Sequence, residues 1–150
     1  MYNDCYECSN TADLNYRSRC WKCQEKFEAA HTKIIVAGGR ECTNYPLVRD
    51  TLDVLLADAV KRGESLMIIS GKARGADACG EQYASEHEYE LLPMPAEWDK
   101  YGKSAGYRRN DEMAAVADGA VVFWDGVSRG SRHMIDIAKA RGIPLRVIKY

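Results

Sequence analysis

Three short segments carry the residue types that hold an anion: Ala37-Gly38-Gly39-Arg40, Ser70-Gly71-Lys72-Ala73-Arg74-Gly75-Ala76-Asp77 and Asp125-Gly126-Val127-Ser128-Arg129-Gly130-Ser131. Glycine lets backbone N–H groups approach a ligand closely. Arginines and helix N-termini favour negative charge. Each segment follows an apolar run of strand type and leads toward a helical stretch. A parallel α/β sheet gathers such loops at one edge, the C-terminal ends of its strands. The expected chemistry is the holding of an anionic small molecule, a nucleotide or a nucleotide derivative.

Charge placement agrees. The 150-residue chain has a formal net charge of −1, which gives no global reason to seek nucleic acid or an acidic membrane. Yet Arg40, Lys72, Arg74, Arg108, Arg109, Arg129 and Arg132 fall in or beside the three loops, against Asp77, Asp111 and Asp125. The edge is expected to be basic, although some of these cations will simply be solvated. Gly38, Gly39, Gly71, Gly75 and Gly130 are read as allowing close backbone approach. Arg40, Arg74 and Arg109 are read as phosphate partners, and Ser128 and Ser131 as donors at the last helix N-terminus. Ser70 ends the second strand, where a dinucleotide site would need a carboxylate for the ribose. Asp77 either accepts from ribose or a base amine or only complements a helix dipole. Asp125 shares the edge. Asn110 orients Arg109 or bonds a base. Trp98 and Tyr101 stack on a base or hold down a long loop. His133 is read as an exposed helix residue and His31 as part of a linker.

The elements that must position these groups are legible from residue 33 onward. Ile34–Ala37, Leu66–Ile69, Glu90–Met94, Ala120–Trp124 and Leu145–Ile148 read as strands, with Ala120–Trp124 central and Pro93 marking an edge. A helix capped by Asn44 carries Val48, Leu52, Leu55, Leu56, Ala59 and Val60 inward and stops near Gly63. A second helix runs from Gly75 or Ala76 to about His87, with Ala76, Cys79, Tyr83 and Ala84 inward. A third runs from about Tyr107 to Ala117 after a long connection. A last one, capped by Ser131, carries Met134, Ile135 and Ala138 inward and ends at Gly142. This alternation gives an α/β Rossmann-like parallel sheet of about five strands, order 3-2-1-4-5, flanked by helices. Its switch point lies between the first and fourth strands.

The first thirty residues differ. Cys5-Tyr6-Glu7-Cys8 and Cys20-Trp21-Lys22-Cys23 have the spacing of a tetrahedral four-cysteine zinc site. Two disulfides or a redox dithiol are the alternatives. Zinc as a structural cofactor would supply the folding energy that a segment this small lacks. The expected domains are a zinc ribbon over 1–31 and the α/β body over 32–150. Arg17, Arg19, Lys22 and Lys26 stand against Asp4, Glu7, Asp13, Glu25 and Glu28, a balance poorly suited to phosphate. The ribbon is read as a contact for a protein partner or a second copy of the chain, with nucleic acid disfavoured. Cys42 and Cys79 are expected in the core. No apolar run approaches the ~20 residues of a membrane span. The start Met1-Tyr2-Asn3-Asp4 has neither a basic nor an apolar region, so a cytoplasmic location is expected.

The G-x-G-x-x-G dinucleotide fingerprint and the Walker phosphate loop are both absent. The three loops, together with Pro95-Ala96-Glu97-Trp98, Tyr101-Gly102-Lys103-Ser104-Ala105-Gly106, Arg109-Asn110-x-x-Met113 and Asp125-Gly126-x-Ser128-x-Gly130-Ser131, resemble the SLOG superfamily in its YspA/cpYpsA-related branch. The resemblance covers residues 33–150 and excludes the ribbon. Ser131 stands where the branch usually has threonine, and Tyr107 where it usually has proline. The resemblance implies a Rossmann-like fold that binds nucleotides or nucleotide-derived ligands, with a role in phage–bacterium conflict. Related LOG phosphoribohydrolases use an arginine in R-K-x-x-M and a glutamate ending P-G-G-x-G-T-x-x-E. Arg109 keeps the first, whereas Met134 stands at the second. Methionine can neither accept a proton nor stabilise a developing positive charge. Binding is therefore expected over LOG-type hydrolysis. If the chain is an enzyme, Arg109, Asp77 and Asp125 are its candidate catalytic groups. A nucleic-acid-binding accessory role is the remaining alternative.

Overall fold

The computed structural model describes residues 31–150 and, ahead of them, the backbone of residues 3–4 and 11–12. The chain divides into two compact units, Met1–His31 and Thr32–Tyr150. In the first, Asn3–Asp4 pairs antiparallel with Thr11–Ala12. Cys5, Cys8, Cys20 and Cys23, and the zinc ribbon expected of them, lie outside the described residues.

From His31 onward the chain runs β1 (His31–Gly38), α1 (Tyr45–Lys61), β2 (Ser65–Ser70), α2 (Ala76–Glu86), β3 (Glu90–Pro93), α3 (Trp98–Tyr101), a 3-10 turn (Gly102–Ser104), α4 (Ala105–Val116), β4 (Gly119–Trp124), α5 (Arg129–Arg141) and β5 (Leu145–Lys149). The strands form one sheet in the order β3-β2-β1-β4-β5, as expected. The pairs β1–β4, β2–β3 and β4–β5 are parallel, with Ile34 opposite Gly119, Met67 opposite Glu90 and Ala120 opposite Leu145. The middle position belongs to β1 rather than to β4. Even so, β4 is the more continuously apolar strand, because β1 begins with polar residues.

Alternate strand residues serve the two faces of the sheet. Val36, Leu66, Ile68, Val121 and Phe123 join Val48, Leu52, Leu56, Ala59, Cys79 and Tyr83 in one core. Their neighbours of opposite parity, Ile35, Met67, Ile69 and Val122, are also buried. Both faces are covered, which is why these strands read as unbroken apolar runs. The edge strand β5 keeps mostly exposed residues.

Local signals explain the helix ends. Asn44 Oδ1 accepts from Leu47 N–H at 3.2 Å, and Pro46 sits in the first turn where no intrahelical donor is needed. Gly142 closes α5 in the left-handed region. Three expectations are corrected. Val60 is half exposed, because the apolar stripe of α1 has rotated past it by the last turn. The helix expected from Tyr107 begins at Ala105, continuing a 3-10 turn that breaks the long connection. Ser131 is buried inside the first turn of α5, and Ser128 takes the N-cap position, without a side-chain cap bond.

The Asn44 cap provides a direct check on α1. Asn44→Ala is expected to lower stability by about 1 kcal/mol, and Asn44→Asp to restore most of it. Urea unfolding measures both; an unchanged midpoint in Asn44→Ala would remove the cap from the account of this helix.

Candidate functional site

The C-terminal ends of β1 and β4 open into a cleft of about 470 Å³. One wall is the turn after β1, Gly38 to Glu41. A second is the first turn of α5, where Ser128, Gly130 and Ser131 line the space. The third comes from α3, the 3-10 turn and α4, with Trp98, Lys103, Gly106, Tyr107, Arg109 and Asn110. Met113 and Met134 form an apolar patch, Asp77 reaches in from α2, and Tyr150 closes the side next to β5. The site thus lies at the topological switch point.

Backbone geometry brings the first two loops together. Gly39 N–H donates to Phe123 O at 3.0 Å, and its carbonyl accepts from Cys42 N–H at 3.1 Å and Ala76 N–H at 3.2 Å. Gly75 lies against that carbonyl with φ +79°, and a Cβ there would fall 2.3 Å from it. Glycine at this position therefore lets the start of α2 touch the β1 turn. At Gly39 itself a Cβ would strike the Tyr150 hydroxyl at 2.0 Å.

Several side chains are already engaged. Arg109 donates from Nη1 to Gly71 O and from Nε to Asn110 Oδ1 at 3.0 Å. Burial lowers its pKa, the nearby Asp77 charge opposes this, and the Arg40 charge adds to it. Asn110 donates from Nδ2 to Gly130 O at 3.3 Å and sits 3.2 Å from His133 Nδ1. With the amide group as donor, His133 Nδ1 is the acceptor. His133 is half buried rather than exposed, edge-on to Tyr107, and burial lowers its pKa. Asp125 Oδ1 accepts from Val127 N–H and Ser128 N–H, both at 2.8 Å, and these bonds lower its pKa. Its role is to shape the loop that presents α5.

The first-turn N–H groups of α5 have no intrahelical partner, and no side chain caps them. Arg40 and Lys103 have no ion-pair partner among the described residues. The free groups at the cleft are thus two cations, a helix N-terminus and the half-exposed indole of Trp98.

Other expected site residues lie elsewhere. Ser70 is fully buried, donating to Glu81 Oε2 at 2.7 Å and accepting from Lys72 N–H at 3.1 Å. It shapes the β2 loop, where Lys72 takes a positive φ of 60°. Gly71 and Arg74 line an adjoining cleft, and Arg74 is paired with Glu41 at 3.2 Å. Gly75 is consumed by packing. Tyr101 lies beneath the Arg108 guanidinium, 4.4 Å from its ring centroid, and does not line the cleft. Asp111 pairs with Arg141 at the last turn of α5, away from the ligand edge. Sequence reasoning missed Tyr150, Glu41 and the apolar patch. Tyr150 had a usable signal, since the residue after the last parallel strand must emerge at the same edge. Lys103, Gly106 and Tyr107 stood in recognised motifs without an assigned role.

Residues 32–101 match the model of the YspA, cpYpsA-related SLOG family. The Gene 61 protein of Mycobacterium phage D29 is 33% identical over 120 residues, a match spanning 75% of this chain and 93% of that protein. The chain belongs to this SLOG family. Two solved structures share its fold. DNA processing protein A from Streptococcus pneumoniae superposes with a TM-score of 0.62 at 18% identity, covering 81% of this chain. The DNA processing protein A from Helicobacter pylori gives 0.56 at 21% identity, again over 81% of this chain. The SLOG chain spans 51% of the first of these proteins and 67% of the second, and at such identities the likeness is one of fold. Among the described residues, no group of three or more His, Cys, Asp or Glu could hold a metal ion, and no helix is long and apolar enough to cross a membrane.

Within the SLOG cleft, Asp77 is the titratable group with the largest environmental push. Burial raises its pKa from 3.8 to about 6, against the hydrogen bond from Ala73 N–H and the Arg109 charge. The folded chain therefore retains a proton that the unfolded chain has released between pH 3.8 and about 6. This group's contribution to stability falls as pH rises through that window and is level above it. The difference is roughly 3 kcal/mol at most. Asp77→Asn keeps an acceptor for Ala73 and cannot ionise. Urea midpoints taken from about pH 4 to about pH 7 should fall less in this variant than in the wild type. Parallel profiles would show that Asp77 does not titrate in this way.

Proposed function

We propose that the SLOG domain binds a nucleotide or nucleotide-derived ligand, such as an ADP-ribose-like molecule, in the cleft between β1 and β4, sensing or sequestering it. The observation that carries this reading is the set of unengaged groups around one cavity. The bare N-terminus of α5 and the unpaired Arg40 and Lys103 would take phosphate. Trp98 would offer a stacking face worth ~1–3 kcal/mol per base. Gly38, Gly39 and Gly130 keep side chains out of the way, and Arg109, Asn110, Asp125, Ser128 and Ser131 set the shape. Met134 on the floor, nearly fully buried, supports holding a ligand over LOG-type hydrolysis. A phage relative is compatible with a part in phage–bacterium conflict in a cytoplasmic setting.

Two other readings have specific support. A nucleotide hydrolase reading draws on Asp77, whose raised pKa near 6 suits proton transfer. A nucleic-acid-related reading draws on the fold likeness to DNA processing protein A from Helicobacter pylori, which binds single-stranded DNA. Incubation with a nucleotide panel followed by mass spectrometry separates them. Intact ligand recovered with the protein is the expected result, and catalytic release of free base or phosphate would replace binding by hydrolysis. Arg40→Ala is the informative variant, because Arg40 has no ion-pair partner to lose among the described residues. Its affinity for the recovered ligand should drop about tenfold with stability unchanged.

For the N-terminal unit we infer structural zinc on Cys5, Cys8, Cys20 and Cys23, with the ribbon engaging a protein partner or a second copy of the chain. Its support is the paired Cys-x-x-Cys spacing. Elemental analysis of protein purified without chelator should return one zinc per chain, falling to none when Cys20 and Cys23 are both changed to Ser. Metal-free wild-type protein would exclude the site.

A further inference from the structure

A second cleft, of about 410 Å³, adjoins the first. Arg40, Ala73, Trp98 and Arg109 belong to both, so the two cavities share a wall. Their charge differs. The first is lined by Glu41, Asp77 and Asp125 as well as cations. Every charged residue lining the second is cationic: Arg40, Lys72, Arg74 and Arg109. A mononucleotide whose phosphate sits at the α5 N-terminus would leave this groove unused.

We propose that the site takes a dinucleotide, with one phosphate at the α5 N-terminus and a second in the groove of Arg40, Lys72 and Arg74, and with a base passing the Trp98 face between them. This deepens the nucleotide-binding reading above and rests on it. Trp98 lines both clefts and is half exposed, so its indole is open to a flat group that spans them. Arg40 faces both clefts and has no carboxylate partner among the described residues. Arg74 is held by Glu41, yet both side chains are largely exposed, at 73% and 84%. A surface pair of this kind is worth little and can yield its guanidinium to a phosphate. Lys72 is more firmly tied, to Glu81, and supplies background charge rather than a free contact. Pro95 and Ala96 also line the groove and add no charged side chain to it.

The test compares a 5′-phosphorylated dinucleotide, the matching 5′-mononucleotide and a dodecanucleotide by calorimetry on the full chain. The dinucleotide should bind about tenfold more tightly than the mononucleotide, with the gain shrinking as salt rises from about 0.05 M to about 0.5 M. Arg74→Ala should cost the dinucleotide at least about fivefold more than it costs the mononucleotide. Glu41→Gln, which frees Arg74, should act in the opposite direction. Equal affinity for mono- and dinucleotide would overturn the two-phosphate ligand while leaving the nucleotide site standing. Affinity that keeps rising through the dodecanucleotide would replace it with a single strand. No binding of any of the three would overturn the nucleotide reading and this inference together.

Discussion

One residue, Gly39, ties the ligand edge together through its own N–H and C=O. Gly39 donates to the end of β4 through Phe123 O and accepts from Cys42, which closes its own turn, and from Ala76, where α2 starts. A single turn thereby fixes the relative positions of β1, β4 and α2. Two neighbours make this possible by lacking a side chain: Gly75 lies against the Gly39 carbonyl, and Gly39 leaves room for the Tyr150 hydroxyl. The cleft is open above this turn because the turn itself is closed. Exposed pairs between the β1 and β2 loops, such as Arg74–Glu41, contribute too little to replace this buried carbonyl contact.

Electrostatics at the cleft floor follow from burial more than from pairing. Asp77 and Arg109 stabilise each other's charged forms, yet in both the loss of solvent is the larger influence: Asp77 is driven up and Arg109 down. Each is pushed toward its neutral form. Hydrogen bonds to Ala73, Gly71 and Asn110 offset part of that cost and also hold the β2 loop in place. An arriving phosphate would meet the Arg109 charge and the Asp77 carboxyl together, and repulsion from the carboxyl falls only as the pH drops below about 6. Removing Arg109 would therefore disturb both the loop and the charge balance, whereas Arg40 contributes charge without bracing anything.

The sheet order, the four longer helices and the location of the cleft were legible, because they follow from apolar periodicity and parallel connectivity, whereas the short α3 lay inside what read as a connection. Asn44, Pro46 and Gly142 marked helix ends by chemistry that works locally. What stayed hidden depended on distances along several elements at once. Ser70 and Gly75 have the residue types of a ligand loop, but one is turned to Glu81 and the other is packed against Gly39. Tyr101 and Trp98 are both aromatic residues of one short helix. Only the fold decides that Arg108 covers the first while the second stays open. The shared wall between the two clefts has no linear signature, since its residues come from the loops after β1 and β2 and from α3 and α4.

Side chains at the edge divide into those that are spent and those that are available. Arg109, Asn110, Asp125 and Ser70 satisfy backbone groups or one another, and together they hold the loops without a ligand. Among the described residues, Arg40, Lys103, Trp98 and the first turn of α5 remain unengaged around the cavity. Such a site is largely pre-formed, so little ordering would have to be offset when an anion arrives. The floor, by contrast, is apolar where Met113 and Met134 meet it. Phosphate therefore belongs on the rim formed by α5 and the β1 turn. Only a ligand part without charge, a base or the apolar face of a sugar, can lie over the methionines.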